Sequence, residues 1–570
     1  MTENNPKGKV LPFAQNADFY ARKGDERRER GALAEAAAFY RKAVELEPDD
    51  PDFRILLGCV YGEMGCGRLS NLLLASALWR GGREDALLYY HMGVNYFDYR
   101  LYDEAMACFQ EMLGCDGVEE LNVSPEISDF LEEESEDEEG GQLRSQCNQY
   151  TSDAVEALGR GEDEKAVALL EKAWALMPCS PEQACNLAMA YYCRKDFDRA
   201  MTVCNRAMLE DPGSLQLHCV LALLYRERGD EAAARREIDF LKQAPLSGIY
   251  EGLKVAVTLF DMGALEEARA VLEKLRAQRP YDVEVLQRLG ICCYNLAEHE
   301  AAADCWKRAR AIDPGDEVLR FYDEENKKAL SGKKHRKKFS SCSYDLPMEE
   351  TLVCLTALQT MQQEEHPSER EDWQRVMNWA LRRQDQLRFA AASVLARENR
   401  EEGEKIIRTM LCDCSAGLED KHMLLMLLSS LDPDAGAVIF LQAGVADVQV
   451  SDFEDRLPKE YVQIPELFVR KLTENEAEQE VVGTGIGMWQ QFINATFDDP
   501  VNIRPDQVPA FAAALSYAAK RVLDLPVTQK EEIEAFATTV SRFRRAENLL
   551  YDRVVRPMIE RDGGSDDESD

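Results

Sequence analysis

Histidine is scarce in this chain, and the six present (His91, His218, His299, His335, His366 and His422) are scattered. None pairs with a Glu at the i,i+4 spacing of a metalloprotease helix. No nucleophile elbow of the Gly-x-Ser-x-Gly type occurs. Gly483-Thr484-Gly485-Ile486-Gly487 lacks the Lys-Ser/Thr partner of a phosphate loop and follows a charged stretch, so a hinge or loop is expected there. Cys412, Cys414 and His422 have the wrong spacing for a zinc knuckle. Paired carboxylates occur everywhere and single out nothing. Runs of eighteen or more apolar residues are also missing, so no membrane span is expected. Met1 to Asn16 has no long apolar segment, so no secretory leader is expected and a cytoplasmic location is the default reading. These absences leave no catalytic constellation, no metal and no cofactor. An enzyme of unrecognised type within 345–480 is the one catalytic reading still open; binding by shape is the main one.

What is abundant is acid. The 570 residues carry a formal net charge of −37, with 68 Lys and Arg against 105 Asp and Glu. The charge is concentrated: Glu119 to Glu139 holds eleven acids and no base, and the tail after Arg561 holds five more. That balance argues against a chain that coats nucleic acid over its whole surface. The 17 cysteines, an odd number, fall mostly on apolar helix faces and read as small core residues rather than disulfides. At this length several domains are expected.

The organising stretch is 147–314. Pro178, Pro212, Pro245, Pro280 and Pro314 recur at steps close to 34 residues. Twelve positions before each lies an alanine: Ala166, Ala200, Ala233, Ala268, Ala302. Five positions before each lies Ala173, Ala207, Phe240, Leu275 or Ala309, with Leu170, Cys204, Leu272 and Trp306 between. A fixed period of roughly 34 residues marks stacked helical hairpins, each unable to bury its apolar face alone. Small residues let two backbones approach, and the proline ends the second helix. The same register reappears near the N-terminus, in Gly24, Ala36, Tyr40, Ala43 and Pro48, then Leu57, Gly58 and Tyr61, then Gly93, Tyr96, Ala105 and Phe109. In the second of these units Ser70 stands where the small residue is expected.

In Leu289, Gly290, Tyr294, Ala302, Trp306, Ala309 and Pro314 this pattern resembles the tetratricopeptide repeat family. The resemblance implies an all-α, tetratricopeptide-type α-solenoid of helical hairpins, with the first helix of each hairpin lining a concave groove. On that reading Asn186, Met189, Tyr192, Arg226, Lys254, Val257, Phe260, Arg288, Ile291 and Tyr294 face the groove and would hold a peptide or helix of a protein partner. The alternative for these side chains is packing between repeats. The Lys/Asn clamp by which some members hold a terminal carboxylate is not assembled here.

The expected order along the chain is a flexible arm at 1–16, a first repeat block at 17–116, an acidic linker at 117–146 and a second block at 147–330 ending in a capping helix. A basic linker follows at 331–344, where Lys333-Lys334-His335-Arg336-Lys337-Lys338 reads as solvated linker, or as a contact for acid or nucleic acid. Then come a helical, HEAT-like region at 345–435, an irregular one at 436–480 with a hairpin around Gly444 and prolines at Pro458 and Pro465, a helical domain at 481–560 and an acidic tail. Within 481–560, Val527-Thr528-Gln529-Lys530-Glu531 and Phe536 to Arg545 resemble a degenerate helix-turn-helix of the cyclin-box and transcription-factor-B-like kind. That resemblance implies Thr528 as a helix cap, with Ser541, Arg542, Arg544 and Arg545 against nucleic acid. Two departures stand out: Ala537 replaces the turn glycine, and Glu532 replaces an apolar core residue. Two partner readings follow: a non-enzymatic protein-interaction scaffold, or a transcription-linked regulator touching DNA.

Overall fold

The computed structural model describes residues 16–556 except 116–117, 137, 160–161, 178–179, 247, 365, 384, 452–458, 473–478, 497–500, 502 and 524. Expectations for the arm before Asn16, for Pro178, for Pro458 and for the acidic tail fall outside these residues. The chain divides into two compact units, 1–427 with 437–447, and 428–436 with 448–570.

The first unit is built from helical hairpins. The first block pairs α1 (Ala17–Arg28) with α2 (Leu33–Leu46), α3 (Pro51–Glu63) with α4 (Gly67–Leu78), and α5 (Ala86–Asp98) with α6 (Tyr102–Leu113). Two further helices, α7 (Pro125–Glu136) and α8 (Glu138–Gly159), lead into α9 (Asp163–Leu176). The next pairs are α10 (Pro181–Cys193) with α11 (Phe197–Ala207), α12 (Leu215–Glu227) with α13 (Glu231–Gln243), α14 (Ile249–Asp261) with α15 (Leu265–Gln278), and α16 (Val283–Asn295) with α17 (His299–Ile312). Then α18 (Glu317–Leu330) covers the end of that series, and α19 (Met348–Met361), α20 (Trp373–Ala380), α21 (Leu387–Glu398) and α22 (Arg400–Leu411) continue without the period. Among the described residues the fold is all-α apart from one two-stranded sheet, Gly436–Leu441 with Gly444–Gln449.

Hairpin closure has a simple geometric cause. A small residue on the first helix lets a large side chain sixteen positions later lie directly on its backbone. A Cβ on Gly24 would come within 2.4 Å of the Tyr40 ring, on Gly93 within 2.5 Å of Phe109, and on Gly290 within 2.7 Å of Trp306. Trp306 is fully buried, and its indole N–H donates to Gln287 Oε1 at 2.6 Å. Ala166, Ala200, Ala233, Ala268 and Ala302 are buried between helices. Ser70 is buried as well, because Asn95 donates to its hydroxyl at 2.8 Å and spares it an unpaired oxygen. Phe240 departs from the pattern: its ring leaves the seam, is 39% exposed, and stacks on His218 at 3.8 Å.

The period also appears in the backbone. The turn between the two helices of a hairpin takes one residue with positive φ: Gly31, Gly65 and Arg100 in the first block, then Lys195, Gly229, Gly263 and Ala297. Glycine takes this conformation without penalty, whereas a side chain pays for it.

Two linker expectations are corrected. The acidic stretch is helical in α7, where Ile127 is buried and the Phe130 ring lies 5.1 Å from Phe97 and 5.6 Å from Tyr102. Those few apolar residues cap the first block despite the surrounding charge. The basic stretch is anchored in its second half, as described below.

The two blocks also meet. α1 to α4 share one continuous core with the helices from α14 to α17 and with α18. Arg41 and the Tyr61 hydroxyl both donate to the Ile312 carbonyl at 3.4 Å, the Cys66 thiol donates to the Tyr281 carbonyl at 3.2 Å, and Arg279 pairs with Asp98 at 2.7 Å.

In the second unit, the helices Lys459–Leu472, Gln479–Ala495 and Val508–Val522 enclose a core of Tyr461, Phe468, Trp489, Phe492 and Phe511. Two expectations are overturned here. Irregular chain was expected around Pro465, yet this proline lies inside a helix. Its ring deprives the Tyr461 carbonyl of the usual helical donor, and the Trp489 indole N–H fills that gap at 2.9 Å. The glycine run 483–487 was expected to be a loop or hinge and is helical. A Cβ on Gly485 would come within 2.3 Å of the Phe468 ring, so the glycine serves close helix contact.

The turns give a reciprocal test. Ala297→Gly removes backbone strain in the last hairpin turn and should stabilise the protein by roughly 0.5–1 kcal/mol. Gly263→Ala, at a turn where an added Cβ meets nothing within 4 Å, should destabilise it by a similar amount. Urea midpoints of the two variants moving in opposite directions is the expected outcome.

Candidate partner-binding site

The ten groove candidates lie on four successive first helices: α10, α12, α14 and α16. They occupy three recurring positions, of which Tyr192, Arg226, Phe260 and Tyr294 form one and Met189, Val257 and Ile291 another. The structure divides them into an open part and a covered part.

Asn186, Met189, Tyr192, Arg226, Lys254 and Val257 are half-buried. Tyr192 lies 5.8 Å from the Phe197 ring. Arg226 donates to the Asp261 carbonyl at 2.7 Å, and the Lys254 ammonium stands 4.3 Å from the centre of the Tyr250 ring. Lys254 is therefore held by its own helix and Arg226 by the next first helix, α14, with the more apolar Met189 and Val257 on the same face.

Phe260, Ile291 and Tyr294 are buried, and Arg288 is mostly so, paired with Glu284 at 3.1 Å. The cover over α16 is the chain itself. Residues 336–346 cross without helix or strand, and the Asn295 side chain holds the backbone of this segment from both sides. Its amide donates to the Phe339 carbonyl at 2.8 Å, and its oxygen accepts from the Phe339 N–H at 2.8 Å. Tyr294 donates its hydroxyl proton to the Arg336 carbonyl at 2.5 Å, and burial pushes that phenol up to about 12. The Phe339 ring sits 4.7 Å from Tyr294 and 4.5 Å from Tyr322. The Cys342 thiol donates to the Arg288 carbonyl at 3.7 Å, and Tyr344 donates to Asp316 at 2.8 Å. Lys333, Lys334, Lys337 and Lys338 stay exposed, while Arg336 reaches Glu349 at 3.2 Å. Nothing in the periodicity signalled this segment; the alternation of Phe339, Cys342 and Leu346 with serines was its only trace.

The second set of candidates lies in the second unit. The Thr528 hydroxyl accepts from the Glu531 N–H at 3.3 Å, while the Glu531 carboxylate accepts from the Thr528 N–H at 3.0 Å. This reciprocal pair starts the helix Gln529–Ala535. Ala537 adopts φ 51°, the left-handed turn that a glycine would take. The helix Val540–Leu550 follows, burying Phe543, Ala546 and Leu550. Glu532 is buried and compensated by Lys520 at 2.8 Å, which accounts for a carboxylate at an apolar position. Ser541, Arg544 and Arg545 are exposed together, whereas Arg542 is tied to Asp506 at 2.7 Å.

Among the described residues, no group of three or more His, Cys, Asp or Glu is placed to hold a metal ion, and no helix is long and apolar enough to cross a membrane.

Residues 24–65 match a family model described as "TPR repeat", and residues 259–321 match one described as "Tetratricopeptide repeat". The chain contains tetratricopeptide repeats, modules that in general mediate protein–protein interaction. It is 24% identical over 322 residues to the TPR repeat-containing protein YvcD of Bacillus subtilis (strain 168). That match covers 55% of this chain and 66% of the relative, just under two thirds of its length. Among solved structures, yeast Tom70 is 12% identical, covers 96% of this chain and 99% of its own, and has a TM-score of 0.25. The P58(IPK) TPR domain is 16% identical, covers 56% of this chain and 99% of its own, and has a TM-score of 0.21. At these values the likeness says nothing about partner or ligand.

Proposed function

We infer that this chain is a non-enzymatic, cytoplasmic interaction scaffold whose open groove, from Asn186 to Val257, holds an extended or helical peptide of a protein partner. One observation carries this reading. The same face, one repeat further along, already holds extended backbone: the Asn295 amide and the Tyr294 hydroxyl bind main-chain groups of 336–346. Main-chain recognition beside aromatic and aliphatic side chains is how such surfaces take peptides. Met189, Tyr192 and Val257 offer the apolar part, and Asn186, Arg226 and Lys254 the polar part. The absence of a recognisable catalytic constellation in the sequence supports the scaffold over an enzyme.

A photo-crosslinking side chain at Met189 or Val257 tests the reading. In cells, both positions should capture the same protein, and Arg235, whose side chain is 59% exposed on the second helix α13, should not. Equal capture at all three, or at none, would contradict a groove.

A second reading, contact with duplex DNA in a transcription-linked role, is favoured by the tight turn at Ala537 and the joint exposure of Ser541, Arg544 and Arg545 beside the capped Thr528. Neutralisation of Arg542 by Asp506 and the net charge of −37 weigh against it. If it holds, the full chain shifts a duplex at roughly 50 mM salt, loses it steeply as salt rises, and loses it on Arg544→Ala with Arg545→Ala. No shift at that salt ends it.

A further inference from the structure

Two features that the groove does not use meet at the start of α19. The first is cationic. Lys333, Lys334, Lys337 and Lys338 are exposed, and among the described residues none of them comes within ion-pair distance of a carboxylate. The cations beside them are neutralised: Lys327 pairs with Asp323, Lys328 with Glu325, and Arg336 with Glu349 and Glu350. Four uncompensated ammonium groups thus stand together on a chain whose net charge is −37. The second feature is apolar. α19 buries Cys354, Ala357, Leu358 and Met361 and turns Met348, Leu352 and Val353 outward, at 71%, 53% and 55% exposure. The outer face of a surface helix is ordinarily polar. Single exposed apolar side chains are common, whereas adjoining ones on one helix face mark a contact surface.

The two lie side by side because the segment 336–346 closes on itself. Arg336, at its start, reaches Glu349 at 3.2 Å and Glu350 at 3.5 Å, both in the first turn of α19. At its end, the Leu346 carbonyl accepts from the Thr351 hydroxyl at 3.1 Å. The lysines on either side of Arg336 are therefore held next to the N-terminal end of the Met348, Leu352 and Val353 face. Charge and apolar surface together select the partner's chemistry. A nucleic acid satisfies the lysines and leaves Leu352 and Val353 unused. An anionic bilayer repels a chain of this net charge. A second copy related by a two-fold axis brings the same lysines to the same surface. A protein segment with carboxylates beside apolar residues matches both features at once.

We propose that the outer face of α19, together with Lys333, Lys334, Lys337 and Lys338, docks an amphipathic helix of a protein partner. The partner's apolar stripe lies along Met348, Leu352 and Val353, and its carboxylates stand at the lysine end. This surface shares no side chain with the groove from Asn186 to Val257, so the two stand or fall separately.

Selection of phage-displayed random peptides, each about four helical turns long, on the full chain tests this. Sequences with Asp or Glu at one end and Leu, Ile, Val or Met at helical spacing should be enriched. Their synthetic peptides, labelled and read by fluorescence anisotropy, should bind about tenfold or more weakly to Lys337→Glu with Lys338→Glu. Leu352→Ser with Val353→Ser should weaken them several-fold. Lys274→Glu with Lys307→Glu, the same charge reversal at exposed positions on second helices, should change nothing, and neither should Met189→Ala with Val257→Ala in the groove. All four variants should keep the far-ultraviolet circular dichroism of the parent. Enrichment of nothing, or only of peptides indifferent to the α19 and lysine variants, would overturn the proposal; peptides lost on Met189→Ala with Val257→Ala alone would support the groove instead. Binding of a labelled single-stranded DNA oligonucleotide or of phosphatidylglycerol vesicles that needs Lys337 and Lys338 and ignores Leu352→Ser with Val353→Ser would also overturn it. So would dimerisation of the chain that is lost in the α19 variant.

Discussion

The first unit depends on one packing relation repeated along the chain: a residue without a side chain, or with one methyl, against a large side chain sixteen positions later. Gly24 with Tyr40, Gly58 with Leu74, Gly93 with Phe109 and Gly290 with Trp306 are the clearest instances. Each contact draws two helices together and removes a large apolar surface from water, at roughly 25 cal/mol per Å² buried. A single hairpin still leaves its outer faces wet, so each needs a neighbour, and the neighbours follow at a fixed step.

Much of this was legible beforehand because it is local. The period, the buried alanines and the first-helix face are set within about 34 residues of chain, and the left-handed turns at Lys195, Gly229, Gly263 and Ala297 repeat the same step in the backbone. The joining of the first hairpins to α14–α18 was not legible. It rests on single contacts such as Cys66 to the Tyr281 carbonyl, between residues that each look like ordinary members of their own repeat. The glycine run at 483–487 and Pro465 misled for a related reason. Their local preferences point to loops, and only the Phe468 ring and the Trp489 indole, each supplied by another helix, reverse them.

The same distinction runs through the face proposed to bind a partner. Residue type and register placed ten side chains on it, yet four are buried or nearly so. Phe260 belongs to the shared core, and Arg288, Ile291 and Tyr294 lie in α16 beneath or beside the segment 336–346. A linker by composition, that segment is held as a ligand would be, through its backbone. The stretch from Asn186 to Val257 has the same register on the preceding first helices and is half-buried rather than covered.

The central claim is that the glycine-to-ring contacts and the junction between blocks make one cooperative body. Native-state hydrogen exchange on Gly290→Val tests it most directly, since the added side chain must push Trp306 from its place. The account predicts that amides of α3, whose Tyr61 reaches the Ile312 carbonyl, lose protection together with those of α16 and α17. Loss confined to 283–312, with α3 as protected as before, would contradict it.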